Sequence, residues 1–425
     1  MQIRDEIDAA NKIAVSRILN SRPKLIGVEK AINALPGMSK KIFLHPGPPM
    51  DWQQMSGPLK GAAVGAMLYE NLASNERQAL RLLEDGEIQF ESAHNHHCVC
   101  AMAGLISQSM PVFVVKDKIG NNYSFSTINE GVGRIRTLRY GAYGPGVIKG
   151  LEWIRDVLSP ALVATIKVAN GMELRPVISE ALKRGDECHN RNKSATNIFF
   201  RNLAQNIVRT GLDKKTIAEI FGFVGGNDHF FLNLSMTASK IALDSAHGIK
   251  RSSIVTGMSS NGYKFGIRVS GLGPKTPPYS WYMFNPPFAR GRYFTGYAKK
   301  DANKVLGDSY VSECVGLGGF AMAASPAITE FVGGNTKWAL NIMTKMDRIT
   351  LTRNNDFLIP YMNYRGTPTG IDIFKVKRSR ILPILNSGIA HRTPGIGQIG
   401  AGIFHAPFQC FAKAVQDFNN NYGAR

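Results

Sequence analysis

Three apolar-periodic stretches, each stopped by a glycine, constrain the middle of this chain more than any other feature. Residues 177–183 run into Gly185. A second stretch, opening at Asp186 or Lys193 and reaching Arg209, runs into Gly211. A third, from about Leu232 to Ala246, runs into Gly248. Glycine just past a helix takes the left-handed conformation that closes its last turn. Residues 147–250 therefore read as a helical domain. Either side is mixed. Residues 3–19 carry Ile3, Ile7, Ala10, Ile13, Ala14 and Ile18 at helical spacing. Residues 41–44, 112–115 and 123–127 read as strands, the last two joined at Gly120-Asn121-Asn122. After residue 250 come strand-like runs (253–258, 262–269, 292–294), glycine loops and a small-residue helix near 318–331. The expected fold class is α+β and multi-domain, with mixed α/β segments flanking a central helical domain. The expected boundaries are 1–146, 147–250 and 251–425. A chain of 425 residues is too long for one ordinary core.

The net charge is +20, which favours anionic partners. The basic residues are spread out. The one run, Lys375-Val376-Lys377-Arg378-Ser379-Arg380, sits in a strand-like apolar context. No zinc finger, RNA-recognition signature or basic region with heptads occurs, so no nucleic-acid partner is expected. The five cysteines are sparse and odd in number, which suggests free thiols in a reducing cytoplasm. No signal-peptide pattern opens the chain. The longest apolar stretch, 315–328, is too short to span a bilayer, so no membrane partner is expected.

Two polar clusters carry the candidate chemistry. The first is Gly185-Asp186-Glu187-Cys188-His189-Asn190-Arg191-Asn192. As structure alone, Asp186 would cap a helix and Glu187 would pair with Arg191 four residues on. That leaves Asn190 and Asn192 poorly explained, because both weaken a helix interior. As a site, a helix N-terminus with Asn and Arg donors would hold a carboxylate or phosphate. The second cluster, Glu91-Ser92-Ala93-His94-Asn95-His96-His97-Cys98, holds three of the nine histidines. His94 and His96 share a face if the segment is a strand, a weak metal pattern with Glu91; a solvated turn is the plain alternative. Gly395-Ile396-Gly397-Gln398-Ile399-Gly400 fits G-x-G-x-x-G, but alone and near the C-terminus it does not make a dinucleotide domain.

Taken in order, several segments resemble the AllG-like (YlbE-like) family. They are Gly47-Pro48-Pro49 to Trp52, Met55-Ser56-Gly57-Pro58, Gly61-Ala62 to Gly65-Ala66, His96-His97 to Gly104, and Ser109-Met110-Pro111. The series continues with Asn129-Glu130-Gly131, Arg139-Tyr140-Gly141-Ala142, the Asp186-to-Asn192 run, Asp301-Ala302, Gly307-Asp308-Ser309, Glu313, and Gly316 to Ala324. The resemblance implies a subunit of oxamate carbamoyltransferase. That enzyme phosphorolyses oxalurate to oxamate and carbamoyl phosphate in allantoin and purine breakdown. It also implies an FdrA-like partner and a third small subunit; a homo-oligomer of this chain is a separate expectation. The alternatives are a scaffold or regulatory subunit of such a complex, or an enzyme on another small anion. Carbamoyl transfer needs oxyanion donors, anion-binding groups and a proton for the departing nitrogen. Glu187, His189, Asn190 and Arg191 are the catalytic candidates. His96, His97, Asn129, Glu130, Arg139, Asp186, Asn192, Asp308 and Ser309 are the candidates for binding substrate and phosphate. No cofactor is expected, and a divalent metal remains an open alternative through His94 and His96.

Overall fold

The structure is a computed structural model that describes residues 2–131 and 136–423. It is a mixed α+β, multi-domain fold with helices packed on several small sheets. The largest sheet has five strands in the order Cys98–Val99, Tyr123–Thr127, Pro111–Asp117, Pro23–Lys30 and Met172–Glu173. Its pairs are antiparallel except Cys98–Val99 with Tyr123–Thr127. Four strands, Tyr282–Phe284, Phe265–Val269, Val255–Asn261 and Leu306–Gly307, form a second sheet. Three more, Arg290–Tyr293, Gln398–His405 and Ile384–Ala390, form a third.

The helix Phe230–Ser245 is the structural axis. Every residue from Phe230 to Leu243 is buried, because sheets and helices cover it on all sides. A helix hydrophobic on one stripe could not accept that position. Its polar side chains are all spent on neighbours. The Ser235 hydroxyl donates to the Cys188 carbonyl at 3.0 Å, and Asn233 donates to the Thr127 carbonyl at 2.7 Å. The main hydrophobic cluster runs through this helix and draws residues from Ala14 to Phe418. A second cluster centres on Leu59, Val64, Met67 and Leu83 of Gly57–Tyr69 and Glu76–Glu84. All five cysteines are buried and unpaired. Among the described residues, no helix is long and apolar enough to cross a membrane.

Most of the expected elements are present. The N-terminal helix is Gln2–Asn20, and Arg175–Lys183 and Lys193–Ile207 bracket the first polar cluster. Gly185, Gly211 and Gly248 all have positive φ. Two expectations need correction, and two open alternatives are decided. The basic run at 375–380 is helical rather than strand-like. The Asp372 carboxylate caps the helix Ile373–Ser379 by accepting the Lys375 N–H at 2.7 Å. The small-residue helix near 318–331 is two elements, Gly318–Ala324 and Pro326–Phe331, because Pro326 has no N–H to continue the first. The histidine segment is a short 3-10 turn, Ala93–His96, closed by His97 in the left-handed region, so no strand face is shared. The second helix opens at Lys193, which leaves 186–192 as a loop. The G-x-G-x-x-G segment runs into a strand, Gln398–His405, paired with Ile384–Ala390, so the glycines open a strand and not the helix N-terminus that would receive a phosphate.

Candidate active site

The loop between Arg175–Lys183 and Lys193–Ile207 is wound around its own carboxylates. Gly185, at φ +94°, turns the chain out of the first helix. Asp186 then accepts the Ala195 N–H at 2.8 Å, and so caps the next helix from inside the loop. Burial pushes its carboxyl up to about 7, against the pull of that hydrogen bond. Cys188 sits at φ +60°, and its N–H donates to the Arg191 carbonyl at 3.1 Å. Glu187 fills the reversal. It accepts the Asn190 N–H at 2.5 Å, the Arg191 N–H at 2.9 Å and the Asn386 amide at 2.9 Å. The proposed Glu187–Arg191 side-chain pair is therefore absent. Glu187 takes the Arg191 backbone, while Arg191 Nε lies 3.2 Å from Asp186 Oδ1. The Asn192 amide donates to the His189 carbonyl at 2.8 Å.

With the peptide groups tied inward, His189 and Asn190 line a cavity of about 240 Å³, together with Arg139, Tyr140, His229 and Ser309. Phe294, Ile328 and Phe331 supply apolar wall. His189 Nδ1 is 2.8 Å from Glu313 Oε1. That oxygen also accepts the Gly319 and Asn386 N–H groups at 3.1 and 3.0 Å, which fixes the carboxylate behind the ring. Burial alone would lower the His189 pKa. Glu313 in contact and Glu187 nearby outweigh it, so the imidazole sits above its ordinary value and favours the protonated form. With Nδ1 committed to Glu313, Nε2 is the nitrogen left for a ligand.

Among the described residues, two buried donors in this wall have no partner: Asn190 Nδ2 and Arg139 Nε. Arg139 is held by a hydrogen bond from its guanidinium to the Gly131 carbonyl at 2.6 Å and lies over the Tyr140 ring. Such orphaned donors are costly unless a ligand satisfies them. His229 stands at the N-terminus of Phe230–Ser245. Burial and then Arg139 bring its pKa to about 4, so it is a neutral imidazole at neutral pH. The cavity thus joins a histidine backed by a carboxylate that favours its charged form, an arginine, a side-chain amide and a neutral histidine. That set can hold a small anion and move one proton.

A larger groove of about 1080 Å³ lies elsewhere, lined by His97, Asp244, Lys275 and Tyr279 among others. Size favours it as a site, but its His97–Asp244 contact is already absorbed by Lys240 and Arg268, both of which pair with Asp244. The smaller cavity, with its unspent donors, is the better candidate.

The histidine cluster disperses. His94 Nε2 is 3.1 Å from Asp308 Oδ1, and both side chains are fully buried. His96 Nε2 is 2.8 Å from Glu91, and its Nδ1 is 2.5 Å from the Pro36 carbonyl. His97 turns to Asp244 at 3.2 Å. Three rings thus have three separate partners. Among the described residues, no group of three or more His, Cys, Asp and Glu could hold a metal ion. Asp308 is a structural hub. It accepts the Gly47 and Cys100 N–H groups at 2.8 and 2.7 Å, and the Ser259 hydroxyl also donates to it. Asn129 donates to Asn233 at 2.9 Å, and Glu130 accepts the Leu138 and Arg139 N–H groups at 2.7 and 3.2 Å.

The cavity therefore collects His189, Asn190, Arg139 and Ser309 from the sequence-derived set. Asp186, Glu187, Arg191 and Asn192 build the loop behind it. Asn129, Glu130 and Asp308 shape segments that lead to it, while His96 and His97 line other ground. Sequence reasoning did not place His229 or Asn386, and it read Glu313 only as turn chemistry or a site edge, with no catalytic or binding role. Glu313 lies 124 positions from His189, so only the fold reveals the pair.

Fold and cavity together define an α+β protein with a histidine–carboxylate pair facing a small, cationic pocket. The chain belongs to the AllG family: residues 88–309 match the family described as oxamate carbamoyltransferase subunit AllG. It is 40% identical to the oxamate carbamoyltransferase subunit AllG of Escherichia coli K12, over 97% of this chain and 98% of that one. It is 42% identical to the Escherichia coli K12 protein named uncharacterized protein YahG, over 99% of this chain and 88% of that one. The crystal structure of a conserved protein of unknown function from Enterococcus faecalis V583 superposes with a TM-score of 0.95 at 40% identity. It covers 98% of this chain and 99% of that one.

Proposed function

We propose that this chain is the subunit of a cytoplasmic oxamate carbamoyltransferase that binds the carbamoyl substrate and protonates its leaving group. The observation that carries the reading is the His189–Glu313 pair in one cavity with the Asn190 Nδ2 and Arg139 Nε donors, which have no partner among the described residues. In the reaction, a phosphate oxygen attacks the terminal ureido carbon of oxalurate. A carbon–oxygen bond forms, the bond from that carbon to the oxamate nitrogen breaks, and carbamoyl phosphate and oxamate result. The departing nitrogen takes a proton from His189 Nε2, and the proton released by hydrogen phosphate restores the imidazolium. Glu313 holds the ring and favours its charged form. The Asn190 amide is available to the oxygen that gains charge, and Arg139 to the oxamate carboxylate. An FdrA-like subunit and a third small subunit complete the enzyme on this reading.

The test is carbamoyl phosphate formation from oxalurate and phosphate, with this chain alone and with its co-expressed partners. Turnover in the assembled complex is expected, with a raised KM for oxalurate in Arg139→Gln. A complex that assembles but forms no carbamoyl phosphate would sink the reaction.

A further inference from the structure

No Asp or Glu occurs between Asp244 and Asp301. Part of that acid-free stretch, residues 282–300, carries exposed apolar side chains and touches the cavity at Phe294. Met283, Phe284, Phe288, Phe294 and Tyr297 are 36–43% exposed along it. Phe294 is both cavity wall and surface, and packs on Phe331 at 6.2 Å between ring centroids. The stretch holds two sheet-edge strands, Tyr282–Phe284 and Arg290–Tyr293. Cations accompany the rings. Lys299 lies over Phe288, and Lys264 donates to the Asn285 side chain at 3.2 Å. Arg292 reaches the exposed Glu330 at 3.6 Å, whereas Lys264, Arg290, Lys299 and Lys300 have no ion-pair partner among the described residues. Arg290 stands near Lys345 and His405, an uncompensated group of bases.

Arginines on an edge strand can simply guard it against pairing. That does not account for five large apolar side chains exposed beside them, the composition of a contact surface. A two-fold contact between copies would set Arg290, Lys299 and Lys300 against like charges, which opposes association. We propose that residues 282–300 are the docking face for an acidic partner subunit, which packs on Phe284 and Phe288 and closes the cavity mouth at Phe294. The inference rests on the reading that this chain works within a hetero-oligomer.

The experiment measures binding of the full-length chain to the co-expressed FdrA-like and third subunits, without substrate, at low and high salt. Wild-type affinity is expected to weaken with salt. Arg290→Glu with Lys299→Glu, and separately Phe288→Ser, should each lose about tenfold or more in affinity while keeping the wild-type melting temperature. Unchanged affinity in both variants overturns the face, as does a wild-type chain that binds neither subunit. Two other outcomes also overturn it. In one, the variants dissociate a self-associated chain, which assigns the face to a second copy. In the other, they abolish tight binding of a single-stranded oligonucleotide, which assigns it to nucleic acid. Because binding is read without turnover, a complex that needs this face yet makes no carbamoyl phosphate retains the face and sinks only the reaction.

Discussion

The loop 185–192 and the segment 91–98 are equally rich in polar side chains, yet they spend them differently. In the loop, the carboxylates of Asp186 and Glu187 are consumed by backbone N–H groups. His189 and Asn190 line the cavity, with Asn190 Nδ2 buried and without a partner among the described residues. In the other segment each imidazole meets its own neighbour: Asp308, Glu91 or Asp244. A dense polar patch is thus equally compatible with a site and with a brace. What separates them is whether the donors find partners inside the fold.

The sharpest way to break this comparison is to truncate one histidine from each side. His189→Ala should lower turnover of the assembled complex by roughly 10²–10⁴-fold, the usual worth of a general acid. His96→Ala should leave it nearly unchanged. Equal turnover in wild type and His189→Ala, with intact assembly, would move the chemistry to the partner and make this chain a scaffold. Next in size is Asp308→Ala. It removes a buried carboxylate that organises Gly47, Cys100 and His94. The expected loss is about 3–5 kcal/mol in denaturant unfolding, typical of breaking a buried pair. A loss below about 1 kcal/mol would deny it the bracing role.

Glu313→Gln sharpens the comparison through pH. Glu313 and Glu187 hold the His189 pKa up against burial. Without the Glu313 charge, burial dominates and the pKa falls. The pH above which general-acid activity is lost should then move to the acid side. The same pair has a stability signature. Its contribution is full below the unfolded histidine value of about 6.5 and fades as pH rises through the raised folded value. Glu313→Gln should abolish that dependence in unfolding measured across this range. A pH profile that stays in place would remove Glu313 as the positioning group. The smallest effect is expected for His97→Ala. Its side chain is 34% exposed beside an Asp244 already paired twice. The change should stay within about 1 kcal/mol in thermal unfolding.

Much of the fold was legible. Helical periodicity and the glycines at 185, 211 and 248 located the central helices, because capping and apolar spacing are local properties. The strands at 111–127 were legible for the same reason. The helix Ile373–Ser379 was not, and the turn at Ala93–His96 stood only as an alternative to a strand, since distant packing overrides weak local preference in short elements. Within the site, His189, Asn190 and Arg139 could be picked out by residue type, but His229 and Asn386 stand alone in unremarkable sequence. Asn386 reaches Glu187 across 199 positions, a contact that no local pattern encodes.

The sequence by itself determined the α+β class, the family and the polar loop that lines the candidate cavity, because these follow from spacing, turn chemistry and shared motifs. Only the tertiary structure decided which histidine is backed by a carboxylate and open to a ligand, and which are spent on the frame. A free donor is defined by the partner it lacks, and that depends on every segment folded around it.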